Sequence, residues 1–250
     1  MKTSSIVLTA TLLLPGLVGA EEIKVLSTQA TQEAYLDLVA QFEKASGHKV
    51  TTIFTGTVNV QKRLADGEPY DMIIMAAPAI DDQIKLGKVV AGSRVDFAQS
   101  GTGLAVRKGA AKPDISSPDA LKRTLLAAKS IGYSTGPSGL YMLSVFEKMG
   151  IADQVKGKLK QTPSGVFVGT LIANGDAEIG FQQISELVHF AGIDYVGPLP
   201  GDLQRMTMFS TGIHANAKQA TAARALVKSI TAPSAAPSIR KHGLEPASPL

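Results

Sequence analysis

The chain of 250 residues carries 25 Lys and Arg against 21 Asp and Glu, is 44% hydrophobic and 18% charged, and contains no cysteine. Disulfides, thiol nucleophiles and cysteine-held metals are therefore excluded. The formal net charge of +4 is spread along the chain, so there is no basic footprint for a nucleic acid, while the apolar content suffices for one large domain or two small ones.

In chain order, "MKTSSIVLTATLLLPGLVGA" places Lys2 before an apolar stretch, with Val18 and Ala20 ahead of "EE". This reads as a secretory signal peptide, residues 1–20, with a V-x-A cleavage site. Its apolar core is too short to span a membrane and is broken by Pro15 and Gly16. No cysteine follows for a lipid anchor. The expectation is a free, monomeric periplasmic protein with no membrane anchor.

From Glu22 the pattern alternates. "IKVLS" reads as strand, "TQEAYLDLVAQFEKASG" as amphipathic helix, "KVTTIFTG" as strand, "VNVQKRLADG" as helix and "YDMIIMAA" as buried strand. Ala34, Leu38 and Phe42 recur at helical spacing, and Gly47 stands where a helix should stop. A second series follows the connecting stretch "GKVVAGSRVDFAQSG": strand "TGLAVRKG", helix "SSPDALKRTLLAA" capped by Ser116 or Ser117, strand "KSIGYST" and helix "GLYMLSVFEKMG". It continues with helix "VFVGTLIANGD", strand "AEIGFQQ" and "IDYVGPLP". The tail "TMFSTGIHANAKQATAARALVKSITAPSAAPSIRKHGLEP" reads as one strand and two helices that break near Pro233 and Pro237, returning to the first series. Two α/β series predict two lobes, each a mostly parallel sheet flanked by helices.

Ligands of open α/β sheets bind at the carboxyl ends of the strands. The four turns found there are "STQATQEAY", "TGTVN", "STGPSG" and "FQQISEL", each rich in uncharged hydrogen-bonding groups. A strand-to-helix turn aims free N–H groups and the positive end of the helix dipole at one point, which suits an anion. The alternative is an ordinary capped turn, in which Ser134, Thr135 or Ser138 satisfies the first helical N–H groups. Four such turns together favour the anion.

In order and spacing, "LDLVAQFEKASGHKVTTIFTGT", "RLADGEPYDMIIMAA" with "IDDQIKLGKV", "GLAVRKG", "ALKRTLLAAKSIGYS", "LIANGDAEIGFQQISEL" and "VGPLPGDLQ" resemble the periplasmic molybdate-binding protein family of ABC transporters. The resemblance implies a two-lobed solute-binding fold with the ligand in the cleft and crossing strands near residues 97–103 and 197–208. Residues 21–97 with 206–250 would form one lobe and 98–205 the other. It also implies a ligand held by small hydroxyls and backbone N–H groups. The positions are Ser27, Thr28, Gln29 and Thr31 in the first turn, Thr55, Gly56 and Thr57 in the second, and Ser134, Thr135, Ser138 and Gly139 in the third. The tyrosine that often completes that family's site has no counterpart, since the fourth turn offers Gln182, Gln183, Ser185 and Glu186.

These divergent turns are similar to those of the family's aconitate isomerase branch. Such an enzyme moves an allylic proton while fixed donors hold three carboxylates. The competing expectation is a transport receptor that delivers molybdate, tungstate or another small anion to a permease. Tyr141 and Glu186 are the candidate acid and base; Tyr141 also has core spacing with Val145, and Glu186 also suits a helix start. Asp71 is a second candidate base, although it stands where strands begin. His48, His189, His214 and His242 show no metal-ligand spacing, so neither metal nor cofactor is expected. Arg107 and Arg205 flank the presumed crossings, either to pair with a carboxylate or as solvated strand ends.

Overall fold

A computed structural model describes residues 20–247, so all of the signal segment but Ala20 lies outside the described residues. Strands β1 (Glu22–Thr28), β2 (Lys49–Thr55) and β3 (Met72–Ala76) alternate with helices α1 (Gln32–Ser46), α2 (Thr57–Ala65) and α3 (Ala77–Lys85). Strand β4 (Val95–Ser100) follows, and the chain then crosses at Gly101 into β5 (Thr102–Arg107). Next come α4 (Pro118–Ala127), β6 (Ile131–Tyr133), α5 (Pro137–Lys148), α6 (Ala152–Val155) and β7 (Leu159–Gln161). Helix α7 (Val168–Asn174), β8 (Ile179–Gln183), α8 (Ile184–Leu187) and β9 (Ile193–Pro198) complete this lobe. The return gives β10 (Thr207–Ile213), α9 (Ala220–Ile230), α10 (Ala236–Lys241) and β11 (Glu245–Pro246).

Two sheets result, ordered β11-β4-β10-β3-β1-β2 and β7-β6-β8-β5-β9. Strands β2, β1 and β3 pair in parallel, as do β7, β6 and β8, whereas β10 and β5 run antiparallel to both of their neighbours. Helices cover both faces of each sheet, so inner strands are apolar on both sides. Along β3, Met72, Ile74 and Ala76 enter the core under α1 and α9, while Ile73 and Met75 enter the opposite core with Val60, Leu64 and Ile80. In β5, Leu104 and Val106 pack with Leu121, Leu125 and Phe146, and Ala105 with Val168 and Ile172. This period of two explains why "MIIMA" reads as a continuous apolar run.

Helix α1 ends at Gly47, which adopts φ 76°, and Ser117 caps α4 by accepting from the Ala120 N–H at 3.1 Å. Helix α3 has no side-chain cap, because Ala76 is its N-cap, and Pro78 in its first turn is the start signal the sequence provides. The connecting stretch 87–101 contributes β4, whose Phe97 and Ala98 are buried.

Candidate functional site

The carboxyl ends of β1, β2, β6 and β8 converge between the lobes. Thr28 and Thr55 are the last register pair of β1 and β2, and Ser134 and Gln183 stand at the ends of β6 and β8. They line a cavity of about 40 Å³ to which both lobes contribute. Of the residues proposed from sequence, Thr28, Gln29, Thr55, Gly56, Thr57, Ser134, Thr135, Ser138, Gln182, Gln183 and Glu186 line it. Helices α2 and α5 begin there, with Gly56 and Gly136 as N-caps and no side-chain cap bond at either. Their first-turn N–H groups and dipoles favour negative charge at this point.

Five residues proposed from sequence stand elsewhere. Ser27 and Thr31 are fully buried and bond to each other through their hydroxyls at 3.1 Å, with Ser27 also donating to the Thr28 carbonyl at 3.0 Å. They brace the first turn from behind. Gly139 lies inside α5, where a Cβ would fall on the carbonyl oxygen of Ser134 and 2.6 Å from its carbonyl carbon and amide nitrogen. It is a packing glycine that lets the helix sit on the turn. Tyr141 points away from the cavity: its hydroxyl donates to the Leu203 carbonyl at 2.9 Å, and the Arg205 guanidinium lies 4.3 Å over its ring. Asp71, a weighed base, accepts from the backbone N–H groups of Lys24 and Gln219, each at 2.8 Å, on the far side of the first lobe.

The two glutamines serve the wall. Gln182 Oε1 accepts from the Val168 N–H at 2.7 Å. Satisfying the Gln183 amide places its oxygen on the Thr207 hydroxyl at 3.0 Å and its nitrogen on the carbonyls of Ser100 and Gly101 at 3.0 and 3.2 Å, which ties β8 to the crossing. Ser134 is engaged as well, accepting from the Gly136 N–H at 3.2 Å. Thr28 differs. It is 4% exposed, and its Oγ1 has no hydrogen-bond partner among the described residues. A buried hydroxyl left unpaired costs about 1–3 kcal/mol, which an anion in the cavity would offset.

Glu186 is the one ionisable side chain on the cavity wall, and no Lys or Arg lines it among the described residues. Burial pushes its carboxyl up to about 7, against hydrogen bonds from Gln182 and the Gln183 backbone that act to lower it. The same residue borders an outer groove of about 390 Å³ with Gln29, Phe167 and His189. Glu186 thus stands between the interlobe cavity and the outer groove.

Sequence reasoning missed the loop 163–166, which closes the cavity from the second lobe. Pro163, Gly165 and Val166 line it. The Asn59 N–H and side-chain amide donate to Ser164 Oγ at 3.3 Å and to the Ser164 carbonyl at 3.1 Å, and Gln29 Nε2 donates to the Gly165 carbonyl at 3.2 Å. Only the Pro-Ser-Gly composition marked this stretch, as a turn. Among the described residues no cluster of three His, Asp or Glu is placed to hold a metal, and no helix is long and apolar enough to cross a membrane.

Thr28→Val tests the cavity directly. Removing an unpartnered hydroxyl at constant shape should leave the melting temperature unchanged or raised. Calorimetry with the anion that binds should show a loss of about 1.5–3 kcal/mol, the worth of a hydrogen bond to charge. Equal affinity in the variant would place the anion elsewhere.

Comparison with known proteins gives a consistent picture. A family model described as bacterial extracellular solute-binding protein matches residues 23–245. An aconitate isomerase from a Pseudomonas species is 36% identical over 230 residues, 90% of this chain and 87% of that protein. The molybdate-binding protein ModA of Azotobacter vinelandii is 30% identical over 212 residues, 83% of each. The solved periplasmic molybdate-binding protein of Azotobacter vinelandii superposes with a TM-score of 0.77 at 20% identity, covering 91% of this chain and all of that one, which shows the shared fold.

Proposed function

The chain belongs to the bacterial extracellular solute-binding protein family, in its molybdate-binding-protein-like group, and from that premise we propose that it is a periplasmic isomerase interconverting cis- and trans-aconitate. The observation that carries this reading is Glu186, a lone carboxyl on an otherwise neutral cavity wall, which burial pushes up to about 7. The similarity to the Pseudomonas aconitate isomerase supports it.

The reaction needs one proton moved between two carbons. Glu186 as carboxylate removes a proton from the methylene of cis-aconitate; the C–H electron pair forms the new double bond to the central carbon, and the pair of the old double bond moves onto the former vinyl carbon and its carboxylate. The protonated Glu186 then returns a proton to that carbon, and the new double bond forms with the opposite geometry. A group with its pKa near ambient pH populates both forms and suits both halves of the transfer. Negative charge spreading onto the substrate carboxylate during transfer is met by Thr28, Thr55, Thr57 and the first turns of α2 and α5. No cofactor enters this scheme.

Starting a reaction from either isomer with a trace of protein should give the same final mixture, read from the two vinyl signals in proton NMR. A cis-aconitate spectrum that stays unchanged, with binding measured separately, would overturn the isomerase reading.

One observation favours a second reading, a receptor that binds a compact oxyanion and hands it to a permease. The cavity of about 40 Å³ holds only a few water-sized groups, at about 10–15 Å³ each. So small a cavity suits a compact tetrahedral anion better than a tricarboxylate. Tight calorimetric binding of molybdate, with no heat from cis-aconitate, would assign the cavity to the receptor.

A further inference from the structure

A second polar cluster crosses the lobe boundary outside the cavity. His189 follows α8 in the second lobe, and His242 follows α10 in the first. Nε2 of His189 lies 3.0 Å from Nδ1 of His242, with the ring centroids 4.8 Å apart. On its other side, His242 Nε2 lies 2.8 Å from Oδ2 of Asp37 on α1. That oxygen also accepts from Lys241 Nζ at 3.1 Å and from the Ser238 hydroxyl at 3.4 Å. Glu33 and Glu186 are the other titratable groups on the groove that His189 borders.

The contact is packed as well as bonded. A Cβ on Gly243 would lie 3.2 Å from Val188 and 3.3 Å from Ile184, so α8 rests against the chain just after His242. Ser185 adds a hydrogen bond from its hydroxyl to the Ala30 carbonyl at 2.7 Å. Helix α8 carries Glu186.

Counting hydrogens defines what the His pair tolerates. The His242 and Lys241 bonds hold the Asp37 carboxyl down to about 2, so it is an acceptor throughout the histidine range and His242 Nε2 carries a hydrogen. One hydrogen remains for the gap between the rings. If His242 is neutral, its bare Nδ1 accepts from His189; if it is charged, its Nδ1–H donates to a bare nitrogen of His189. When both rings are charged, two N–H groups face each other and the bond becomes a repulsion.

We propose that Asp37, His242 and His189 form a proton-counting latch between the lobes, closed while the two rings share at most one charge and released when both are charged. Release loosens α8 and displaces Glu186. That last consequence rests on the reading of Glu186 as the base; the latch does not.

The sign follows from His189. Burial, and then the neighbouring His242, hold it below its ordinary value of 6.5 in the latched state. Once released it returns toward about 6.5. The latch is therefore intact above that pH and weakens as pH falls toward the lowered value, by about tenfold per pH unit where the pair already carries one charge and release takes up one proton.

Amide hydrogen exchange on the ligand-free chain tests this at about pH 7.5 and about pH 5, bracketing the histidine range, with intrinsic rates corrected. Peptides spanning residues 184–192 should lose protection at the lower pH in the wild type. In His189→Gln, whose amide can either donate to or accept from His242 Nδ1, they should be equally protected at both. As a second readout, His189 in the wild type should titrate below the ordinary range by imidazole NMR and move up in His242→Gln. Equal protection of the wild type at both pH values, or the same loss in His189→Gln, would overturn the latch. No substrate is involved, so either result leaves the isomerase reading to its own test.

Discussion

Glu186→Gln is expected to lower turnover of cis-aconitate by about 10²–10⁴-fold, the usual worth of a positioned acid or base, while binding survives. Glutamine keeps the shape and the hydrogen bonds with Gln182 and the Gln183 backbone but can neither take nor return a proton. In the wild type, kcat/KM should fall about tenfold per pH unit below the free-protein value of about 7 and level off above it. Stability provides an independent check. A carboxyl whose folded pKa is raised favours folding at low pH, and the wild type loses that contribution as pH rises from about 4.3 through about 7. The variant, neutral throughout, should therefore melt higher than the wild type at alkaline pH and comparably under acid conditions. A variant that turns over normally would assign the proton transfer to another group.

Gly56→Ala should weaken anion binding by about one to two orders of magnitude without unfolding either lobe. Gly56 caps α2 at the cavity mouth, in extended backbone that any residue adopts, so the cost of the substitution is one of space. A Cβ there would fall on Ser164 Oγ and 2.5 Å from the Gly165 amide nitrogen across the cleft. Overpacking of this kind costs about 1–3 kcal/mol, which is about one to two decades in Kd. Because the clash exists only when the lobes are closed, the open form escapes it. Small-angle scattering of the variant with saturating anion should retain the dimensions of the open protein, whereas the wild type contracts. Full closure of Gly56→Ala with unchanged affinity would contradict the role given to the 163–166 loop.

Much of the fold was legible because strands and helices announce themselves by period. "YDMIIMAA" contains β3, "DALKRTLLA" lies within α4, and the four turns after β1, β2, β6 and β8 supplied most of the cavity wall. What failed was direction. In "STQAT" the sequence does not say which hydroxyl faces the ligand. The backbone sends Thr28 toward the cavity and turns Ser27 and Thr31 inward to each other. Tyr141 sits one turn into α5, where helical rotation carries it to Leu203 and Arg205. Gly139 was read as part of a cradle because its small size is also what a tight helix-to-turn contact demands. Partners far apart in the chain were beyond reach. Asn59 meets Ser164 across 105 positions and Asp37 meets His242 across 205, and no local pattern encodes either pair. The burial that lifts Glu186 is likewise tertiary, set by the Gln182 wall and the opposing lobe.

The most direct measurement is a proton NMR time course of cis-aconitate in D₂O with a trace of the mature protein. The account gives growth of trans-aconitate, with deuterium at the carbon that was vinyl in the substrate, because Glu186 opens to the solvent-filled outer groove and exchanges its proton there. Unlabelled, unisomerised cis-aconitate after many equivalents per protein would contradict it and leave a binding protein that closes on its anion without changing it.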